Sequence, residues 1–239
     1  MSDTIRLKEK IEVAEGTMAF YFERPTGFHF EAGQFIDLTL INPPETDAEG
    51  NTRSFSIASA PYEDHLMIAT RMRDTAFKRV LKNLAIGSEI QIEGAFGSLV
   101  LHEDSAQPAV FLTGGIGVTP FRSIAFEAAR ERLPHRLWMF YSNRRPEDAA
   151  FLEELTKLQT ENSNFRLIPT ITNAQDSRKS WNGETGYIDR QMLSKYIGEL
   201  SSRVCYIAGP PAMVDAMTKR LSVAGLNRAE IRSEEFFGY

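Results

Sequence analysis

Two hydrophobic periodicities divide the chain. Up to about residue 100, short runs rich in β-branched and aromatic residues recur: Met18–Phe22, Phe35–Ile41, Phe55–Ala58, Leu66–Arg71 and Ile90–Glu93. Turn formers separate them, among them Gly27, Gly33, Pro43, Pro44, Pro61, Gly87 and Gly94. Strands of that length and spacing predict an antiparallel barrel or sandwich. One helix interrupts the series, because Phe77, Val80, Leu81 and Leu84 fall at i, i+3, i+4 and i+7.

Beyond Glu103–Pro108, a polar stretch ending in proline that reads as a linker, the strands become apolar throughout. They are Ala109–Leu112, Leu137–Tyr141, Phe165–Ile168 and Val204–Ala208. Helical segments alternate with them, each with one apolar face: Phe121/Ile124/Ala125/Ala128, Phe151/Leu152/Leu155/Leu158 and Met213/Met217/Leu221/Ala224. Strands that are hydrophobic along their whole length are covered on both faces, as in a parallel sheet with crossover helices. The predicted fold is therefore two-domain: an antiparallel β-barrel over residues 1–103, then an α/β doubly wound parallel sheet over residues 108–239. A length of 239 residues suits two domains of ordinary size.

Composition narrows the chemistry. With 42% hydrophobic and 25% charged residues, the chain has enough apolar material for a packed core and is not disordered in character. A net charge of -5 argues against nucleic-acid and anionic-membrane partners, neither of which is expected. The lone Cys205 rules out, within this chain, a disulfide, a zinc site built on several thiolates and a cysteine-ligated iron–sulfur cluster. His29, His65, His102 and His135 are scattered without metal-ligand spacing, so no metal site is expected. Met1-Ser2-Asp3-Thr4 does not open a signal peptide, and the longest apolar runs are too short to span a bilayer. A cytoplasmic location is the simple expectation. No Gly-x-Ser-x-Gly elbow points to a hydrolase.

The strongest local signal is Leu112-Thr113-Gly114-Gly115-Ile116-Gly117-Val118-Thr119-Pro120, directly after the first parallel strand. Glycines let backbone approach a ligand closely. Thr119 is the expected N-cap and Pro120 the expected first helical residue, so free N–H groups and a positive helix end would face a pyrophosphate. A ligand-free tight turn would use the same glycines; the strand before and the helix after favour a nucleotide. A second corner, Gly209-Pro210-Pro211, ends the last long apolar strand, and ligands of open α/β sheets sit at such strand ends. In the first half, Arg53-Ser54-Phe55-Ser56-Ile57-Ala58-Ser59 offers a permanently charged fork suited to phosphate and two hydroxyls, Ser56 and Ser59, expected on one strand face. Arg73-Asp74-Thr75-Ala76-Phe77-Lys78 opens the amphipathic helix with Thr75 as N-cap, a second helix start open to phosphate.

Arg-x-Phe-Ser at 53–56, Gly-Gly-x-Gly-x-Thr-Pro at 114–120 and Gly-Pro-Pro at 209–211, in that order, resemble the ferredoxin–NADP reductase-like flavoprotein superfamily. The match runs along nearly the whole chain. The resemblance implies that Arg53 holds the flavin phosphate, and that Ser54, Phe55 and Ser56 line the isoalloxazine with the Ser56 hydroxyl near its N5. It further implies that Thr70, Arg71, Thr75, Ala76 and Phe77 belong to the flavin site. Phe55 stands where a tyrosine is commoner, and the family's Gly-x-x-Ser turn lacks its glycine here. Thr113, Gly114, Gly115, Gly117, Thr119 and Pro120 would cradle the NAD(P)H pyrophosphate, with Gly209 and Pro210 on the nicotinamide side. Many relatives have Cys-Gly-Pro at that corner; this chain has Ala208, which implies altered rates rather than inactivity, because hydride transfer depends chiefly on proximity and orientation. At the C-terminus Phe237 or Tyr239 would stack on the flavin and Glu235 would assist proton movement; an exposed acidic strand end followed by a frayed tail is the alternative.

FAD is expected ahead of FMN. Arg144, after the second nucleotide-domain strand, is a candidate for the adenosine 2′-phosphate of NADPH, but Thr172-Asn173 replaces the Ser-Arg of many NADPH-specific relatives, and NADH is favoured. Lys78, Arg79, Lys82 and Arg122 form a possible basic docking rim, a solvated face being the alternative. The implied function is a flavin-dependent NAD(P)H reductase passing electrons to an external acceptor: ferredoxin, flavodoxin, an oxygenase component or free flavin. The alternatives are a non-catalytic flavin-retaining subunit of a larger complex and, more weakly, an NAD(P)-binding protein without flavin.

Overall fold

The computed structural model describes residues 2–200 and 202–237. The first half contains β1 (Ser2–Ala14), β2 (Thr17–Glu23), β3 (Phe35–Leu40), β4 (Thr52–Ser56), β5 (His65–Arg71), α1 (Ala76–Asn83) and β6 (Glu89–Phe96). Its strands form one antiparallel sheet in the order β4-β3-β6-β1-β2-β5. The sheet curls into a barrel: just past β4, Ala58 N–H donates to Met67 O on β5 at 2.7 Å, and Met67 N–H donates to Ser59 Oγ at 3.0 Å. Alternate residues such as Phe20, Phe22, Ile36, Leu38, Ile90 and Ile92 fill the interior. Phe77, Val80 and Leu81 of α1 join that core, as their spacing predicts. Thr75 caps α1, its Oγ1 accepting the Lys78 N–H at 3.3 Å.

The second half contains β7 (Ala109–Gly114), α2 (Val118–Arg130), β8 (Leu137–Asn143), α3 (Leu152–Glu161), β9 (Phe165–Ile171), β10 (Glu184–Thr185), α4 (Arg190–Ile197), β11 (Val204–Gly209), α5 (Pro211–Val223) and β12 (Ile231–Glu235). The sheet order is β10-β9-β8-β7-β11-β12 and every pairing is parallel. Alternation along the strands supplies both faces. Phe111, Met139, Tyr141 and Tyr206 pack against α2 and α3, whereas Val110, Leu112, Phe140 and Ile207 pack against α4 and α5. The α2 face also meets the barrel, since Ala19, Ala58, Met67 and Leu99 belong to the same buried cluster as Phe121 and Ile124.

The start of α2 differs from expectation. Gly115–Gly117 form a 3₁₀ turn that runs straight into the helix, so Gly117 is the cap and makes no side-chain cap bond. Thr119 lies inside the helix and donates its hydroxyl to Ile116 O at 3.0 Å rather than capping. Pro120 is then the third helical residue, tolerated because first-turn N–H groups have no intrahelical partner. Phe151 precedes α3 in a left-handed conformation (φ 61°) instead of starting its apolar face within the helix.

His102 is a structural pin. Its backbone N–H and ring Nδ1 meet the Tyr206 hydroxyl at 2.9 and 2.8 Å, and its Nε2 lies 2.8 Å from Gln107 O. The Nε2 of His135 lies 2.8 Å from His102 O. Both histidines are buried. The approach to β7 is thereby tied to the centre of the parallel sheet.

Candidate functional site

A cavity of about 360 Å³ opens where the barrel, α1, the glycine loop and the C-terminal strand converge. β4 supplies Arg53, Ser54, Phe55 and Ser56; the end of β5 supplies Thr70 and Arg71; the start of α1 supplies Thr75 and Phe77. Thr119 enters from α2, and Glu235 and Phe237 from the tail. Residues separated by more than 180 positions in sequence thus face one space.

The barrel wall has the chemistry of a cofactor site. Ser56 is buried at 6% exposure, and its Oγ has no hydrogen-bond partner. An unsatisfied buried hydroxyl costs roughly 1–3 kcal/mol, so a polar ring edge in the cavity would relieve it. The Ser54 hydroxyl has its proton engaged, donating to Asp37 Oδ1 at 2.5 Å, and keeps only acceptor capacity for a ligand. The Arg53 guanidinium lies 5.1 Å from the Phe77 ring centroid and Phe55 packs on Phe77 at 5.9 Å. Arg53 also donates to the carbonyls of Glu49, Gly50 and Thr52 and pairs with the Asp47 and Glu49 carboxylates at 2.9 and 3.0 Å. The turn before β4 therefore fixes its fork at the cavity wall.

Sequence reasoning missed Lys78 as a site residue. It lines the cavity and donates from Nζ to Arg71 O at 2.8 Å. Burial, with the nearby positive charges of Arg73 and Arg53, pulls its ammonium down to about 8. Cations crowded beside the start of a capped helix are relieved by an anion, which fits a flavin phosphate. The i, i+3 relation of Thr75 and Lys78 was the available signal.

At the tail, β12 pairs in parallel with β11, setting Glu234 against Ala208 and Glu235 against Gly209. Phe236 N–H donates to Gly209 O at 2.9 Å. Both glutamates line the cavity, but Glu235 is exposed and Glu234 is the more enclosed. Burial raises the Glu234 carboxyl to about 7. Glu234 therefore holds a proton near neutrality. Its neutral form is the one the fold favours, so its contribution to stability is present below about pH 4.5 and fades as the pH rises through about 7. Flavin-free protein should therefore melt lower at about pH 7.5 than at about pH 5, and Glu234→Gln should shrink that difference in thermal-unfolding scans. Phe237 lies at the cavity mouth with 79% exposure. Tyr239 lies outside the described residues.

Ser56 and Ser59 do not share a face. β4 ends at Ser56, and Ser59 is turned into the contact with β5, where its hydroxyl accepts the Met67 N–H. Three residues cannot return a side chain to the same side of an extended strand.

The nucleotide half brings its two corners together at the carboxyl ends of β7 and β11. A Cβ on Gly117 would lie 2.3 Å from Ala208 O, and one on Gly114 would lie 2.5 Å from Met213 Sδ. Thr113 is fully buried and donates its hydroxyl to Ala208 O at 3.0 Å, tying one corner to the other. Gly115 adopts φ 53°, a conformation glycine takes without strain. Pro210 precedes α5, and its carbonyl accepts the Met213 N–H at 2.9 Å. Ala208 is fully buried, and Cys205, with its thiol pushed up to about 12 by burial, is an apolar packing residue. Ala76 is buried beneath the start of α1.

Arg144, at the end of β8, is exposed, whereas Arg145 is held by Asp148 at 2.8 Å and Glu15 at 3.6 Å. The expected basic rim does not form. Arg122 is buried, Lys78 faces the cavity, and Arg79 pairs with Glu45 and Asp74, leaving Lys82 as the exposed member. The sequence pattern could not register those tertiary partners. No cluster of metal-ligating side chains occurs among the described residues.

Residues 111–219 match the family model of the oxidoreductase NAD-binding domain. A solved ferredoxin NADP+ reductase from Neisseria gonorrhoeae, with FAD and NADP bound, superposes with a TM-score of 0.81 at 25% identity and 99% coverage of both chains. Its two-domain fold is that of the ferredoxin–NADP reductase-like flavoprotein oxidoreductases. Proteins similar to it in sequence include the glycine betaine monooxygenase reductase subunit of Chromohalobacter salexigens, 29% identical over 92% of this chain. Another is the phenol hydroxylase P5 protein of Acinetobacter pittii, 27% identical over 97% of this chain. The chain spans 60% and 64% of those two proteins' own lengths. Among the described residues, no helix is long and apolar enough to cross a membrane.

Proposed function

We propose that this chain binds FAD in its barrel half, residues 1–103, and NAD(P)H in its nucleotide half, residues 108–239, and reduces an external electron acceptor. The observation that carries the proposal is the single cavity in which the buried, unpartnered Ser56 hydroxyl, the Arg53 and Lys78 cations and Thr119 of the glycine-loop helix face one another. A bound flavin would supply the chemistry, accepting an electron pair from nicotinamide and releasing electrons to the acceptor.

The chain's own residues bind, orient and shield. Arg53, Lys78 and the N–H groups at the start of α1 hold phosphate. Ser56 satisfies a polar edge of the isoalloxazine, and Phe55 with Phe77 walls it from water. Gly114, Gly115 and Gly117 let backbone close on the dinucleotide, and Gly209 with Pro210 borders its nicotinamide end. Glu234 and Glu235 flank the cavity at the tail, and Glu234 is the group suited to hold a proton there. FAD is preferred to FMN and NADH to NADPH, the latter because Arg145 is engaged by Asp148 and Arg144 is exposed. An oxygenase component is the favoured acceptor, given what the relatives above are named for; ferredoxin, flavodoxin and free flavin are the others. The single buried cysteine suits a reducing, cytoplasmic compartment.

The acceptor assignment is tested by purifying the tagged chain from cells that express its native neighbours, then assaying NADH-dependent reduction of any co-purified component. Reduction of an oxygenase component supports it. A partner that binds but is never reduced favours the non-catalytic subunit instead.

A further inference from the structure

An arginine is buried where the two halves meet. Arg122, on the second turn of α2, has 6% side-chain exposure and lies between Glu63 of the barrel half and Glu154 of α3. It donates to Glu154 Oε1 and Oε2 at 3.1 and 3.0 Å, to Glu63 Oε2 at 3.0 Å and to Ala58 O at 2.7 Å. The guanidinium also lies 4.4 Å from the Phe126 ring centroid. The next residue repeats the grip: Ser123 Oγ donates to Ser59 O at 2.7 Å. Residues 58 and 59 lie two and three positions past Ser56, where β4 ends at the cavity wall. The same helix begins at Gly117, where the nucleotide loop ends. One rigid rod thus holds the glycine loop at its first turn and the flavin strand at its second.

We infer that Arg122 is a positioning residue, which fixes the separation of the flavin strand from the nucleotide loop and so aligns nicotinamide with flavin. It rests on the function proposed above. A buried ion pair adds little net stability over apolar packing, because the desolvation of both charges offsets their attraction. Its directional bonds nevertheless specify one arrangement of the two halves. Misplacement of reacting groups by about 1 Å costs about 10²-fold in rate, so a small slackening at this joint is felt at the flavin.

The test uses the full chain loaded with FAD. Arg122→Met should leave the FAD and NADH dissociation constants within about threefold of wild type while the limiting rate of flavin bleaching at saturating NADH falls about 10- to 100-fold. Arg122→Lys, which keeps the charge and loses the fork, should recover only part of that rate. Independently of turnover, hydrogen exchange at the Met67 amide, bonded to Ser59, should accelerate. Should Arg122→Met not fold, Glu154→Gln and Ser123→Ala carry the same prediction at about threefold to tenfold. An unchanged limiting rate and unchanged Met67 exchange in folded variants overturn the inference while the proposed function stands. Wild-type protein that retains FAD but is reduced by neither nucleotide overturns both.

Discussion

Arg53→Ala is expected to weaken FAD retention by about 10- to 100-fold, the range that corresponds to losing one hydrogen bond to a charged group at about 1.5–3 kcal/mol. The side chain is prepared for that contact before any ligand arrives. Its guanidinium is packed on Phe77 and anchored by three carbonyls and two carboxylates of the 47–52 segment. Removing the side chain would delete the proposed phosphate ligand and also free the turn that Asp47 and Glu49 shape. Arg53→Lys should restore part of the affinity, since an ammonium keeps the charge but cannot span both roles. Fluorescence titration of flavin-free protein with FAD measures the effect, and affinity unchanged in Arg53→Ala would remove Arg53 from the phosphate site.

Gly117→Ala should be more disruptive than its size suggests. The added Cβ would stand 2.3 Å from Ala208 O, 2.6 Å from Ala208 C and 2.7 Å from Gly209 Cα. All three are backbone atoms, held by the parallel pairing of β11 with β7 and β12. No rotamer change relieves the clash, so the two glycine corners must separate. Overpacking of this kind costs about 1–3 kcal/mol or more. The loss falls on both nucleotide binding and stability, because Thr113 ties the same corners through Ala208 O. A lowered thermal midpoint together with NADH affinity weakened by about tenfold or more is the expected result, read by thermal unfolding and by nucleotide titration. Gly27→Ala is the control, because no neighbouring atom lies within 4 Å of its Cβ position. Although its φ of 81° makes that substitution locally strained, it should leave nucleotide affinity intact.

The strands visible in the sequence are those whose inward side is filled by large apolar residues, such as Phe20 and Phe22 on β2 or Ile36 and Leu38 on β3. β1 escaped because only Ile5 and Leu7 of its thirteen residues are deeply buried; charged residues occupy much of the rest. β12 escaped for a related reason. Arg232-Ser233-Glu234-Glu235 has no apolar alternation, and the strand exists because β11 offers it a backbone edge. α4 has a clear N-cap, with Asp189 accepting the Met192 N–H at 2.8 Å, but lies in a stretch with a weak apolar pattern.

Site chemistry followed the same division. Local motifs with backbone consequences, the glycine loop and the Thr75 cap, were legible, because glycine freedom and capping act within a few residues. Side chains whose surroundings come from distant segments were not. Glu235 was the expected proton carrier, yet the phase of β12 makes Glu234 the enclosed carboxyl. Arg122 looked like part of a surface rim, yet Glu63 and Glu154 draw it into the joint. Lys78 became a cavity residue only when Arg53 and Arg73 were brought beside it.

The proposed function requires that flavin and nicotinamide meet in one chain. Anaerobic titration of the FAD-loaded protein with NADH tests it most directly, with the visible flavin band as readout. The expected result is a yellow protein whose band bleaches with about one equivalent of NADH and returns on admission of oxygen or an acceptor. A protein that cannot retain FAD, or one whose bound flavin stays oxidised with excess NADH and with excess NADPH, would contradict it.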